Sequence, residues 1–461
     1  MGVLFGTDGV REIANGGLTP ELAFRLGRAG AAMAARAANS ARRPSTVVGG
    51  DTRRSTGMLE AAVAAGIMSA GCDAIRVGVV PTPAVARLTV AYGAAVGIVI
   101  SASHNPVEYN GIKLFGSDGF KLPDEVEDLV ESYVLKGSAG SSPSCCWAEN
   151  DGLPRPTGSG VGMCSEPMDS WEHYVEFVVS SARHDLSGLH IVLDCANGAS
   201  SRTSPEALRR LGARVSVIHD SPDGDNVNMG CGSTHPEALC RAVQELGADM
   251  GFAHDGDADR VLAADSQGNL VDGDQIMALC AAFRFNNGEL TGNALVATQY
   301  SNLGLQEAMR RLGIDVVIAD NGDRYVLQEM LNRQLVLGGE QSGHIIMLDK
   351  NTTGDGLITA VEVASIVAST GASLAELAGV MRKFPQVLVN VRVSRKDDYH
   401  RSDAIAKAVA DASASLGADS RLVVRPSGTE PLIRVMGEGP DEAGVWATVE
   451  SVAQVIKREL E

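Results

Sequence analysis

The chain has 461 residues, 44% of them hydrophobic and 21% charged, which suits about three domains of ~150 residues and excludes a lone small binding module or a disordered chain. Lys and Arg number 39 against 57 Asp and Glu, a net charge of −18, so a broad attractive field for nucleic acid or an anionic membrane is excluded and an anionic ligand would need local cations. With no uncharged apolar run near the ~18 residues of a membrane span, and Gly6 where a myristoylation signal wants Ser or Thr, the expectation is a cytoplasmic enzyme.

Short runs rich in Val, Ile and Ala end in small or acidic residues and lead into helix-like stretches. They are 46–49 into GDTRRSTGM, 96–100 into SASHNP, 191–193 into DCANGAS, 250–254 into DGDADR, 295–297 into TQYSNLG and 316–319 into DNGDRYV. Strand, loop and helix in repetition predict parallel or mixed sheets covered on both faces, with ligands at the carboxyl ends of strands. Residues 137–160, GSAGSSPSCCWAENDGLPRPTGSG, have a linker's composition and carry the first predicted domain boundary. After Gly371 the texture changes: a helix over 373–383, an alternating strand QVLVNVRVS, a helix over 399–416, a strand, and a final helix over 441–459 predict a smaller α+β unit.

The cysteines, at 72, 145, 146, 164, 195, 231, 240 and 280, form no Cys-x-x-Cys pair, and the nine histidines no His-x-x-x-His pair beside a Glu. Neither a zinc site nor a disulfide framework is signalled, the thiols read as reduced and mostly buried, and metal chemistry falls to carboxylates.

Four loops carry chemistry. Ser101-Ala102-Ser103-His104-Asn105-Pro106 follows the run VGIVI; its serine suits a nucleophile or phosphate carrier, although an ordinary polar turn uses the same residues, and Lys113 lies just beyond. Asp255-Gly256-Asp257-Ala258-Asp259-Arg260 spaces three carboxylates by two, an oxygen set for Mg²⁺ or Ca²⁺ with open positions left for a phosphate. It is not an EF-hand, since Arg260 and Ser266 stand at that loop's Gly and Glu positions. Gly338-Gly339-Glu340-Gln341-Ser342-Gly343-His344 offers Glu340 and Ser342 to neighbouring hydroxyls of the kind a sugar presents, or is a plain glycine-rich turn. Arg425-Pro426-Ser427-Gly428-Thr429-Glu430-Pro431, with Arg434, joins two guanidinium groups to hydroxyls and a close backbone N–H, a match for phosphate oxygens.

In this order and at these separations the four loops resemble the α-D-phosphohexomutase superfamily, from Phe5 to about Met436. The phrases FGTDGVR, ISASHNPVEYNGIKLF, GGEQSGH and GDRYV, with Gln341 the most discriminating residue, resemble its hexosamine branch. The resemblance implies three related mixed α/β domains and a smaller C-terminal α+β domain around a central cleft, with boundaries expected at 1–160, 161–260, 261–371 and 372–461. It implies a phosphorylated Ser103, and one Mg²⁺ held by Asp255, Asp257, Asp259 and a phosphoserine oxygen. Glu340 and Ser342 would meet sugar hydroxyls, and Arg425, Ser427, Gly428, Thr429 and Arg434 the phosphate that is not reacting.

Arg11, Lys113, Arg260 and His344 match positions around the reacting phosphate, and Lys113, His344 and Arg11 are the candidates for the proton. The activity implied is exchange of glucosamine 6-phosphate and glucosamine 1-phosphate through a 1,6-bisphosphate, which also primes the enzyme; glucose or mannose phosphate is the alternative substrate. The partner is a small phosphosugar, with neither nucleic acid nor membrane, and the resemblance suggests a homodimer. Two further readings are an aspartyl-phosphate phosphatase using Asp255 and Asp257, disfavoured by Asp259 in place of Thr or Val, and a phosphosugar-binding protein without turnover, disfavoured by the intact loops. Four residues depart from the branch pattern: Glu12 and Ala258 where Gly is usual, Gly50 where Lys is usual, and Asn321 where Val is common. Ala258 is expected to restrict the metal loop.

Overall fold

The computed structural model describes residues 4–6, 8–38, 43–136, 152–417, 419–427 and 431–461. Most of the predicted linker, including Cys145 and Cys146, lies outside them, as do Gly428 and Thr429. The chain divides into two compact units, Met1–Gln299 with Val317–Ala378, and Tyr300–Val316 with Gly379–Glu461. No helix among the described residues is long and apolar enough to cross a membrane.

The first unit is built on mixed sheets. One places Val10–Ile13, Tyr109–Gly116, Val96–Ile100, Ser45–Gly50, Asp73–Val79 and Cys164–Ser165 side by side in that order. Val96 and Ile98 to Ile100 are fully buried, because helices cover both faces; this is why the strand reads as a continuous apolar run, and each such side chain contributes about 1.5–3 kcal/mol. Helices Pro20–Ala38 and Arg54–Ser69 approach closely, since a Cβ on Gly27 would lie 2.5 Å from Val63 O and one on Gly66 2.1 Å from Phe24 O.

A second sheet runs Leu270–Val271, Val261–Asp265, Met250–His254, His190–Asp194, Arg214–Ile218, and a third Asp315–Ala319, Ala294–Thr298, Leu337–Gly339, Ile345–Met347. The second unit holds an antiparallel sheet of Gln386–Arg392, Leu432–Glu438 and Arg421–Pro426 with helices Asp403–Leu416 and Glu442–Leu460. Three mixed α/β domains and a smaller C-terminal domain are thus the fold class.

The local expectations need correcting at several points. The strands before SASHNP and DGDADR are followed not by helices but by antiparallel strands: Ile100 pairs with Ile112 and His254 with Val261. The loop after Leu337–Gly339 does the same, with Gly339 opposite Ile345. The returning strand Tyr109–Gly116 is buried on both faces over Asn110 to Phe115, so no alternation marks it. At the end of the first unit the helix expected over 373–383 is only Leu374–Ala378. The helix expected from Tyr399 starts at Asp403, where Ser402 accepts a bond from Ile405 N, after a 3₁₀ turn Lys396–Arg401. The single strand expected before the last helix is an antiparallel pair.

Candidate active site

Three hairpin loops of the first unit bring the sequence-predicted residues together. Ser103 is 1% exposed, and its Oγ donates to Asp255 Oδ2 at 2.5 Å. The serine sits in the left-handed region, φ +52, which costs a non-glycine residue about 1–2 kcal/mol and persists only where its surroundings hold it. Four groups hold it. Ser101 Oγ accepts from Ser103 N at 2.9 Å and donates to the buried Asp51 at 2.6 Å. Arg53, paired with Asp51 at 2.9 Å, donates to Ser103 O at 2.9 Å and also to Asn105 O and Pro106 O. Asn228 Nδ2 donates to the same Ser103 carbonyl at 2.9 Å.

The carbonyl of Ser103 is therefore fixed by two donors from distant parts of the chain. If Ser103 is the reacting group, Asn228→Gly, which keeps the backbone at residue 228, φ +58, accessible while deleting one donor, is expected to lower kcat about tenfold with little change in KM, since small misplacements of a reacting group are costly. Steady-state kinetics beside a thermal melt checks it; equal losses in stability and activity would mean a purely structural contact.

Asp255, Asp257 and Asp259 are buried, with one carboxylate oxygen from each lying within 4.8 Å of the others. Asp257 Oδ2 accepts from Thr82 Oγ1 at 2.6 Å and Lys113 Nζ at 3.0 Å, whereas Asp257 Oδ1 and Asp259 Oδ1 are buried with no hydrogen-bond partner among the described residues. Such orphaned carboxylate oxygens cost free energy unless a cation meets them. Burial, then Asp259 and Asp257, push the Asp255 carboxyl well above its usual range. The oxygen-only donor set with unused lone pairs fits Mg²⁺. Ala258 has φ +54, the backbone strain expected of an alanine in a glycine's place.

Cations line the triplet. Lys113 Nζ lies 2.9 Å from Asp8, 3.0 Å from Asp257 and 3.6 Å from Asp259; burial pulls its ammonium down, but these carboxylates more than reverse that and hold it well above the ordinary lysine value. His344 stands between Asp259 at 3.6 Å and Asp323 at 3.7 Å, which likewise outweigh burial and raise it. Arg11 bonds Asp8 at 2.7 Å and Asn105 Oδ1 at 3.1 Å. Arg260 lies 3.9 Å from Asp259 and is held above its ordinary value by Asp259, Asp255 and Glu340, against its burial.

Glu340 accepts from Gly322 N at 3.1 Å and from Ser342 Oγ at 3.4 Å, which ties the third loop to the start of helix Asp323–Arg333. Sequence reasoning assigned no role to Asp51, Arg53, Asn228, Lys121 or Asp323. Lys121 bridges Asp8 and Asp323, and the phrases DTR and GDRYV that contain three of these residues were the available signal. Glu12 is exposed and accepts from Ile13 N. Gly50 has no room for a side chain, a Cβ there lying 2.6 Å from Ile100 O.

In the second unit Arg425 and Arg434 are opposite each other on paired strands. Like charges in that position repel unless an anion joins them. The Arg425 guanidinium stands 4.8 Å over the Tyr300 ring, and Ser427 O accepts from Lys396 at 2.9 Å.

Family models for phosphoglucomutase/phosphomannomutase match the chain in four parts: α/β/α domain I over residues 2–140, domain II over 172–268, domain III over 272–384 and the C-terminal domain over 388–455. The chain belongs to this family of phosphosugar mutases. Among its relatives a phosphoglucosamine mutase of Moorella thermoacetica is 54% identical over 441 residues, 96% of each chain. A phosphoglucomutase/phosphomannomutase family protein of Burkholderia thailandensis shares the fold at TM-score 0.80 and 22% identity, over 99% of this chain and 97% of that one. The N-acetylphosphoglucosamine mutase of Aspergillus fumigatus, solved with GlcNAc-6P and magnesium, aligns at TM-score 0.71 and 18% identity, over 99% and 96%.

Proposed function

We propose that the protein is a phosphoglucosamine mutase that exchanges the phosphate of glucosamine phosphate between O6 and O1 through phospho-Ser103. The observation that carries this is the Ser103 hydroxyl seated 2.5 Å from Asp255 within the carboxylate triplet. The 54% identity to the Moorella enzyme supports the hexosamine branch.

In the phosphorylated enzyme the Oγ–P bond of Ser103 breaks as a bond to the free sugar hydroxyl forms, and the proton of that hydroxyl passes to the departing Ser103 oxygen, with Lys113, His344 and Arg11 the candidates for carrying it. The bound 1,6-bisphosphate turns round, its other phosphoryl group returns to Ser103, and the product leaves. Asp255, Asp257 and Asp259 would hold Mg²⁺ with a phosphoserine oxygen, which when bound neutralises charge on the transferring group. Lys113, Arg11 and Arg260 supply fixed positive charge around the same oxygens, and His344 lines them, all already oriented by their carboxylate partners. Glu340 and Ser342 are assigned to sugar hydroxyls, and Arg425, Ser427, Gly428, Thr429 and Arg434 to the phosphate not in reaction. Asp51, Arg53 and Asn228 act through Ser103 as positioning residues.

Comparing kcat/KM for glucosamine, glucose and mannose 6-phosphates after priming with a hexose 1,6-bisphosphate tests the substrate. Glucosamine phosphate is expected to lead by about 10-fold or more; a lead for glucose or mannose phosphate would overturn the assignment.

A further inference from the structure

A second cluster of ligating side chains lies away from the three aspartates. Asp194 ends strand His190–Asp194, and its register partner Ile218 ends the neighbouring parallel strand, so the next residue, His219, is delivered beside it. Cys231 joins them from the loop that precedes helix Glu237–Leu246. One ligand atom from each of the three lies within 4.8 Å of the others, and His219 Nδ1 is 3.1 Å from Asp194 Oδ2. Around a tetrahedral ion with bonds of about 2.0–2.3 Å, ligand atoms stand roughly 3.3–3.7 Å apart, so closure needs side-chain shifts on the order of 1 Å.

The supporting contacts fix orientation. Ala196 N donates to Asp194 Oδ1 at 2.9 Å and Gly232 N to Asp194 Oδ2 at 3.0 Å, which leaves Oδ2 a lone pair facing the histidine. His219 Nδ1 is buried and faces Asp194 Oδ2 at 3.1 Å, out of line for a well-formed hydrogen bond. A carboxylate oriented by two backbone donors, as ligating carboxylates are in metal sites, here stands beside an imidazole nitrogen and a buried thiol. Asp194 and Cys231 are buried while the His219 side chain is 33% exposed, giving an ion an entry path and a fourth position for water.

We infer that Asp194, His219 and Cys231 form a second divalent-metal site, selective for a thiophilic ion such as Zn²⁺ over the Mg²⁺ suited to the aspartates. The N, O and S donor set favours zinc, whereas Mg²⁺ demands oxygen. The Cys231 thiol gives its proton to solvent as sulfur binds. No short motif announces the site, because its ligands come from three separated segments. Cys231 shares its loop with Asn228, whose amide holds the Ser103 carbonyl, so a bound ion would tie that loop down close to the reacting serine.

The test is Co²⁺ titration of the purified full chain in excess Mg²⁺, which occupies the oxygen ligands. One equivalent is expected to give a thiolate-to-cobalt charge-transfer band that Zn²⁺ displaces. Cys231→Ser is expected to abolish the band and His219→Gln to weaken Co²⁺ binding at least about 100-fold, with circular dichroism confirming the fold of both. Cys164→Ser, at an exposed thiol, should leave the band intact. Absence of the band in the parent protein, its survival in Cys231→Ser or at undiminished affinity in His219→Gln, or its loss in Cys164→Ser would overturn the site. The readout needs no turnover, so it stands apart from the mutase assignment.

Discussion

Ser103→Ala is expected to lower mutase turnover on the order of 10⁴-fold or more while the protein still folds. Uncatalysed phosphate-monoester cleavage is so slow that enzymes supply accelerations up to about 10²¹, and in the proposed mechanism each phosphoryl transfer passes through the Ser103 oxygen. Structurally the change is mild: alanine accepts the φ of +52 about as poorly as serine does, and the loop keeps its bonds to Asp51, Arg53 and Asn228. The main stability term is the lost Ser103 donor to buried Asp255, about 1–3 kcal/mol. Intact mass reads the same point independently, with one phosphate on a fraction of the parent protein and none on the variant. Full turnover by the alanine protein would refute the phosphoserine.

The strand ends that carry the site were legible because a strand buried on both faces leaves an uninterrupted apolar run that stops where the chemistry begins. Val96–Ile100 and Met250–His254 were placed to the residue. The direction of the chain after those strands was not legible: Tyr109–Gly116 and Val261–Asp265 are as buried as their partners, so neither period separates a returning strand from a helix. The three aspartates could be read because one loop contains all three and short spacing is itself the signal. Asn228 and Arg53 escaped because they act through the backbone of a residue 125 and 50 positions away, a relation that only pairing of the sheets creates. Asp194, His219 and Cys231 escaped for the same reason, parallel strand ends being neighbours in space with a whole helix between them in sequence.

The proposed Mg²⁺ site makes the other large prediction, because activity and stability should move in opposite directions there. Three buried carboxylates within 4.8 Å repel one another, and two of their oxygens have no donor among the described residues; in chelator this repulsion is part of what the fold must carry. Asp255→Asn replaces, at nearly constant shape, the carboxyl that burial and its two neighbours already push toward the neutral form, and still accepts from Ser103 through its amide oxygen. In EDTA it is therefore expected to be as stable as the parent protein or more stable, by about 1–2 kcal/mol at neutral pH.

Added Mg²⁺ reverses the order. It stabilises the parent protein by mass action, about 2.7 kcal/mol at a hundredfold excess over Kd, and leaves the variant nearly unmoved. Turnover follows the ion: EDTA is expected to abolish parent activity, Mg²⁺ to restore it, and Asp255→Asn to lose about 10³-fold even in excess Mg²⁺, in line with several kcal/mol of charge stabilisation. Paired melts and rates, with and without chelator, separate the cases. A variant destabilised in EDTA, or a parent protein whose turnover ignores EDTA, would show that the three carboxylates serve the fold through Lys113 and Arg260 and do not hold a catalytic ion.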